Sequence, residues 1–115
     1  MERNPDTGNL PLDINMLSNL TNNIESIEKE IIDLFFMNTH ECLKLMSKPV
    51  NDNIWLSALK EIDALAKCIG AAEICRTCSI ARTIYRESEE NRRKVCSNLN
   101  SNLEILKVFV RNTRY

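Results

Sequence analysis

The sequence predicts an all-α protein, and three observations carry that prediction. Only two glycines occur in 115 residues, too few for a turn-rich sheet. Hydrophobic residues make up 43% and charged residues 27%, a balance suited to helices with one buried face. Apolar residues also recur at spacings of three and four along long stretches that are interrupted only by proline, glycine and asparagine. A chain of this length buries one core, so a single domain is expected. The architecture expected is an antiparallel, up-and-down four-helix bundle with a short extra N-terminal helix, because short connections make consecutive helices antiparallel neighbours.

Residues 1–11, with Pro5, Gly8, Asn9 and Pro11, read as a flexible tail, and the domain is expected over 12–115. A short helix is expected from about Asp13 to Leu20. A long one follows from about Asn23 to Ser47, with Ile24, Ile27, Ile31, Leu34, Phe35, Cys42 and Leu45 on one stripe. Glu25, Glu28, Lys29 and Asp33 lie opposite, and Pro49 stops the helix.

The next helix begins after Asn51 or Asp52, both good N-caps, and carries Trp55, Leu59, Ile62, Leu65, Ala66 and Ile69 inward before Gly70. Its polar face shows Asn53, Ser57, Lys60, Asp63, Ala64 and Lys67. A fourth long segment, from about Ala72 to Arg86, buries Ile74, Thr77 or Cys78, Ala81 and Ile84, with Arg76, Arg82 and Arg86 outside. Ser88, Glu89 and Glu90 open a last helix that runs to about Arg111. It turns Val95, Leu99, Leu103 or Leu106 and Val110 inward and ends in the basic pair Arg111 and Arg114.

Composition narrows the function classes. The formal net charge is −1, and no basic stripe is interleaved with aromatics, so nucleic acid is not an expected partner. The first 13 residues lack the apolar core of a secretory signal, and no stretch reaches the roughly 18 apolar residues of a membrane span, which places the protein in the cytoplasm. Five cysteines, at 42, 68, 75, 78 and 96, are read as reduced helical thiols. Cys75-Arg-Thr-Cys78 has C-x-x-C spacing, but not the strand-to-helix context of a redox pair nor the further ligands of structural zinc. Glu28, Glu30, Asp33 and Glu41 read as a solvated face, since a di-metal bundle needs more than one histidine. Neither a metal, a cofactor nor a small-molecule substrate is expected. Arg82, Arg86, Arg92, Arg93 and Lys94 read as a solvated basic face, and Trp55 as an end-of-core residue.

The stretch Ala58 to Ala71, ALKEIDALAKCIGA, resembles the signature helix of histidine phosphotransfer (HPt) domains, A-A-H-x-L-K-G-S/A-A-x-x-I/L-G-A. Ala58 meets its first alanine, Ile62 the leucine, Ala64 the glycine, and Ile69-Gly70-Ala71 the closing triplet. Leu34-Phe35-Phe36 is similar to the family's L-F-L, and Gly70-Ala71 with Ile74 and Cys78 to its G-A-x-x-L-x-x-x-C. The resemblance spans roughly Leu12 to Arg111. It implies the HPt bundle and a role in two-component phosphorelay signalling.

Lys60 falls where the family's phosphorylated histidine stands, and Asp63 where the family has a lysine that favours phosphate. A family histidine accepts phosphoryl groups because neutral imidazole is nucleophilic near pH 7. Lysine keeps its proton there and lacks that chemistry. The resemblance therefore implies a module that binds a response-regulator receiver domain or a histidine kinase without accepting phosphate, and that has no turnover of its own. The expected docking surface is Asn53, Ser57, Lys60, Asp63, Ala64 and Lys67. An ammonium at Lys60 would enter the acidic cluster with which receivers hold a divalent cation, and Ala64 would leave room one turn away. Two alternatives stay open: a true relay intermediate using His40 or a lysine phosphoramidate, and a helical adaptor unrelated to phosphorelay.

Overall fold

The structure, a computed structural model, describes residues 10–86 and 88–113. Residues 1–9 of the expected tail and Arg114 of the terminal basic pair lie outside them. Among the described residues there are five α-helices and no strand, so the all-α expectation holds. None of the helices is long and apolar enough to cross a membrane.

Each helix begins and ends where local chemistry directs. Helix α1 spans Ile14–Leu20, and its orphan N-terminal amides are capped by Asp13, whose carboxylate accepts the Met16 N–H at 3.0 Å. The chain reverses through Asn22 and Asn23 at φ 55° and 62°, a left-handed conformation that asparagine tolerates better than most residues. Helix α2 (Glu25–Met46) follows and stops ahead of Pro49. Of the two caps considered for α3 (Asp52–Ile69), Asn51 is the one used: its side-chain oxygen accepts the Ile54 N–H at 2.9 Å.

Gly70 ends α3 in the left-handed region at φ 73°, with its N–H on the Ala66 carbonyl. Helix α4 (Ala72–Ile84) closes at Tyr85, just before the expected end. Ser88 opens α5 (Glu89–Thr113), where its hydroxyl accepts the Asn91 N–H at 3.1 Å.

Consecutive long helices pack on one another, α2 on α3, α3 on α4 and α4 on α5, while α1 lies against α2 and α3. Contact between α2 and α5 is slight. An open groove of about 920 Å³ lies where the α2–α3 connection, Met46 to Val50, faces the N-terminal half of α5. The core runs through all five helices, with Leu17, Phe35, Trp55, Leu59, Ile62, Ile74, Cys78, Leu99 and Leu106 among its buried side chains. In α5, Leu103 and Leu106 are both buried, and in α4 Cys78 is buried while Thr77 is half-buried.

Helix α2 departs from its expected stripe. Phe35 and Cys42 are buried as expected, but Ile24, Ile27, Leu34 and Leu45 are exposed. The buried face instead carries Glu28, Ile32, Phe35, Thr39, Cys42, Leu43 and Met46. The helix is apolar over more than half of its circumference, so spacing alone permits two faces. Phe35, Leu43 and Met46 give the larger apolar volume on the face that packs.

Glu28, read as solvated, is fully buried. It stands in the first turn of α2, where the amide dipoles favour a carboxylate, and accepts the Thr21 hydroxyl at 3.3 Å. Arg92, also read as solvated, lies in a nest of acceptors and rings. It donates to the carbonyls of Tyr85 (3.1 Å) and Val50 (3.3 Å), pairs with Asp52, and sits 5.2 Å above the Trp55 ring.

Candidate functional site

Asn53, Ser57, Lys60, Ala64 and Lys67 follow one another on α3 at steps of four, three, four and three, the spacing that keeps side chains on one helical face. All five are exposed. Lys60 sits at the middle of the row and joins no ion pair among the described residues. Ala64, one turn further on, leaves the space beside it open. Five of the six expected docking residues thus share an accessible face.

Asp63 does not. Its residue surface is only 4% exposed, because α4 packs against that flank of α3. One carboxylate oxygen, Oδ2, receives Arg82 of α4 at 3.1 Å and Lys67 at 3.0 Å. The other, Oδ1, is buried without a hydrogen bond. The expectation of an exposed acid that repels anions is therefore corrected: Asp63 is an interior anchor that pins two cations beside Lys60.

Between α3 and α4 the structure adds a feature that reading α3 alone misses. Leu56 and Lys60 from α3 and Arg82, Thr83, Tyr85 and Arg86 from the end of α4 line a cleft of about 400 Å³. Arg86 donates to the Tyr85 hydroxyl at 2.9 Å and lies over its ring at 5.4 Å, with Asp52 4.0 Å away. The Tyr85 ring in turn stacks on Trp55 at 5.7 Å with only 8° between the planes, so the floor of the cleft is rigid. Arg82 and Arg86 are one turn apart on α4, which is a signal in the sequence. Their closeness to Lys60 depends on how α3 and α4 align, and no spacing rule gives that.

The remaining candidates do not assemble into a reacting centre. His40 is exposed on α2 and does not line the Lys60 cleft. In the C-x-x-C pair, burial followed by the charge of Asp63 pushes the Cys78 thiol up to about 12, and the same two causes raise Cys75. Both oppose the low-pKa thiolate that redox exchange and metal ligation require. All five cysteines are free, with Cys68 the exposed one. Among the described residues no group of three or more His, Cys, Asp or Glu side chains gathers at one point. Comparisons with protein-family models, with curated proteins and with solved structures found no match to this chain.

Proposed function

We propose that the protein is an HPt-like signalling module of a two-component phosphorelay, which docks on a receiver domain or a histidine kinase without itself accepting phosphate. The observation that carries this reading is Lys60. It stands exposed at the centre of the α3 face, joins no ion pair among the described residues and has small Ala64 beside it. The resemblance of Ala58–Ala71 to the HPt signature puts this residue at the phosphoacceptor position. The order of packing, α2 to α5 in sequence with short α1 against α2 and α3, is compatible with an antiparallel, up-and-down four-helix bundle of that kind.

A docking role follows from charge and shape. The ammonium of Lys60 can enter an acidic, cation-binding pocket on a partner, and Arg82, Arg86 and Lys67 flank it. The exposed apolar flank of α2, with Ile27, Leu34 and Leu45, supplies surface that a charged contact alone lacks.

The test is a binding screen of the protein against receiver domains and the dimerisation helices of histidine kinases from the same genome. Binding to a partner that falls at least about tenfold with Lys60→Glu and with Ala64→Arg supports the reading. Undiminished binding in both variants refutes the role of this face. Phosphate uptake by the wild type that disappears in His40→Ala would make the protein a relay intermediate instead. Absence of any two-component partner would leave the helical adaptor.

A further inference from the structure

We propose that the cleft between α3 and α4, lined by Leu56, Lys60, Arg82, Thr83, Tyr85 and Arg86, is a binding site for a phosphoryl group. The proposal deepens the docking reading by naming the chemistry beside Lys60. It rests on that reading only for where the phosphoryl group would come from.

The first argument is charge. The chain as a whole is close to neutral, at −1, yet Lys60, Lys67, Arg82, Arg86 and Arg92 meet around this end of α3 and α4 with only Asp52 and Asp63 against them. Such a surplus on one concave surface concentrates anions and is unfavourable when the cleft is empty. Asp63 does not cancel it. Its carboxylate is buried beneath the cations and presents no oxygen to the cleft.

The second argument is geometry. A carboxylate is satisfied by one guanidinium fork, whereas a phosphate dianion accepts hydrogen bonds from several directions. Here donors converge from two helices. Lys60 supplies a free ammonium from α3. Arg82 spends one nitrogen on Asp63 at 3.1 Å and keeps the rest of its five N–H donors. Arg86 is steadied by the Tyr85 hydroxyl and ring but uses only its Nε there. The exposed Thr83 hydroxyl, now donating to the Ile80 carbonyl at 2.7 Å, is within one rotation of facing an anion.

The third argument is the wall. Leu56 and the Tyr85 ring give the cleft an apolar side, which favours a phosphoryl group carried on a larger molecule over a bare hydrated ion.

The experiment is an NMR titration of the full chain at pH 7.5 and constant ionic strength. The probes are inorganic phosphate, a short phosphoserine peptide, its unphosphorylated form, acetate and chloride. The expected result is saturable shifts at the amides of Lys60, Thr83 and Arg86 with the two phosphate probes, at least about fivefold tighter than acetate. Lys60→Gln and Arg86→Gln, both at exposed positions, should each weaken binding by about fivefold with the rest of the spectrum unchanged.

Tighter binding of the phosphopeptide supports the site and assigns it to a phosphorylated protein side chain. Equal or tighter binding of inorganic phosphate supports it as a site for the free ion. Shifts that acetate or chloride reproduce, or glutamine variants that bind phosphate as the wild type does, overturn the proposal. A receiver domain that binds through Lys60 while phosphate does not would retire this site and leave the docking reading intact. Phosphate binding with no two-component partner would do the reverse.

Discussion

Asp63 of α3 and Arg82 of α4 meet at 3.1 Å, with the carboxylate buried and the guanidinium at the surface. Removing the acid leaves both of its cations free to rehydrate, and it relieves an Oδ1 that has no hydrogen bond. The loss is therefore smaller than for a fully buried pair broken on one side. Asp63→Asn should cost about 1–2 kcal/mol of unfolding free energy. A double-mutant cycle with Arg82→Gln should return a coupling of about 1 kcal/mol. Urea unfolding of the four proteins measures it, and a coupling of zero would show that the contact positions nothing.

Gly70 carries two constraints at once. Its φ is +73°, and a Cβ built on it would lie 2.5 Å from the Cβ of Asp13, whose N–H bonds to the Gly70 carbonyl at 3.1 Å. The end of α3 and the start of α1 are thus in backbone contact. Gly70→Ala should lose about 2–4 kcal/mol, from left-handed strain and the forced retreat of Asp13 together. Asp13→Ala, which removes only the cap, should lose about 1 kcal/mol. Equal effects of the two substitutions would mean that the close approach is not present in solution.

These cases mark where the sequence was legible. Helices α3, α4 and α5 have one apolar face each, so spacing identifies Trp55, Ile62, Ile74, Leu99 and Val110 as core. Helix α2 is apolar on two flanks, and only packing volume selects Phe35, Leu43 and Met46 over Ile27 and Leu34. Asp63, Glu28 and Arg92 read as solvated because their partners Arg82, Thr21, Tyr85 and Val50 lie on other elements. The docking row Asn53, Ser57, Lys60, Ala64 and Lys67 follows from one helix and was legible. The cleft that Arg82, Thr83 and Arg86 complete needs the alignment of two helices, which no local pattern encodes.

Arg92 joins the α2–α3 connection, α3, the end of α4 and α5 through one guanidinium. It donates to Val50 and Tyr85, pairs with Asp52 and covers the stacked rings of Trp55 and Tyr85. Arg92→Ala should cost about 2–4 kcal/mol, because two carbonyl acceptors and a cation–π contact go together. Arg92→Lys should recover less than half, since an ammonium lacks the planar fork that reaches both carbonyls. Trp55 is the only tryptophan, so its fluorescence reads both the unfolding and the local environment. Full recovery by lysine would show that charge alone suffices.

Cys42 and Cys78 tie stability to alkaline pH. Burial, then the charge of Glu61 for Cys42 and of Asp63 for Cys78, pushes each thiol from an ordinary 9.0 up to about 12. Between these values the folded chain keeps protons that the unfolded chain releases, so unfolding becomes more favourable as pH rises. The contribution is intact below pH 9 and is lost progressively from about 9 to about 12, at no more than about 1.4 kcal/mol per pH unit for each thiol. Urea midpoints should therefore hold from pH 7 to 8.5 and fall at 10.5. The fall should be shallower in Cys42→Ala/Cys78→Ala, after allowing for the lower starting stability of a variant with two core truncations. Iodoacetamide at pH 8 should modify exposed Cys68 first and reach Cys42 and Cys78 only on unfolding. An equally steep decline in the double variant, or early labelling of Cys78, would show that these thiols are not held in the interior.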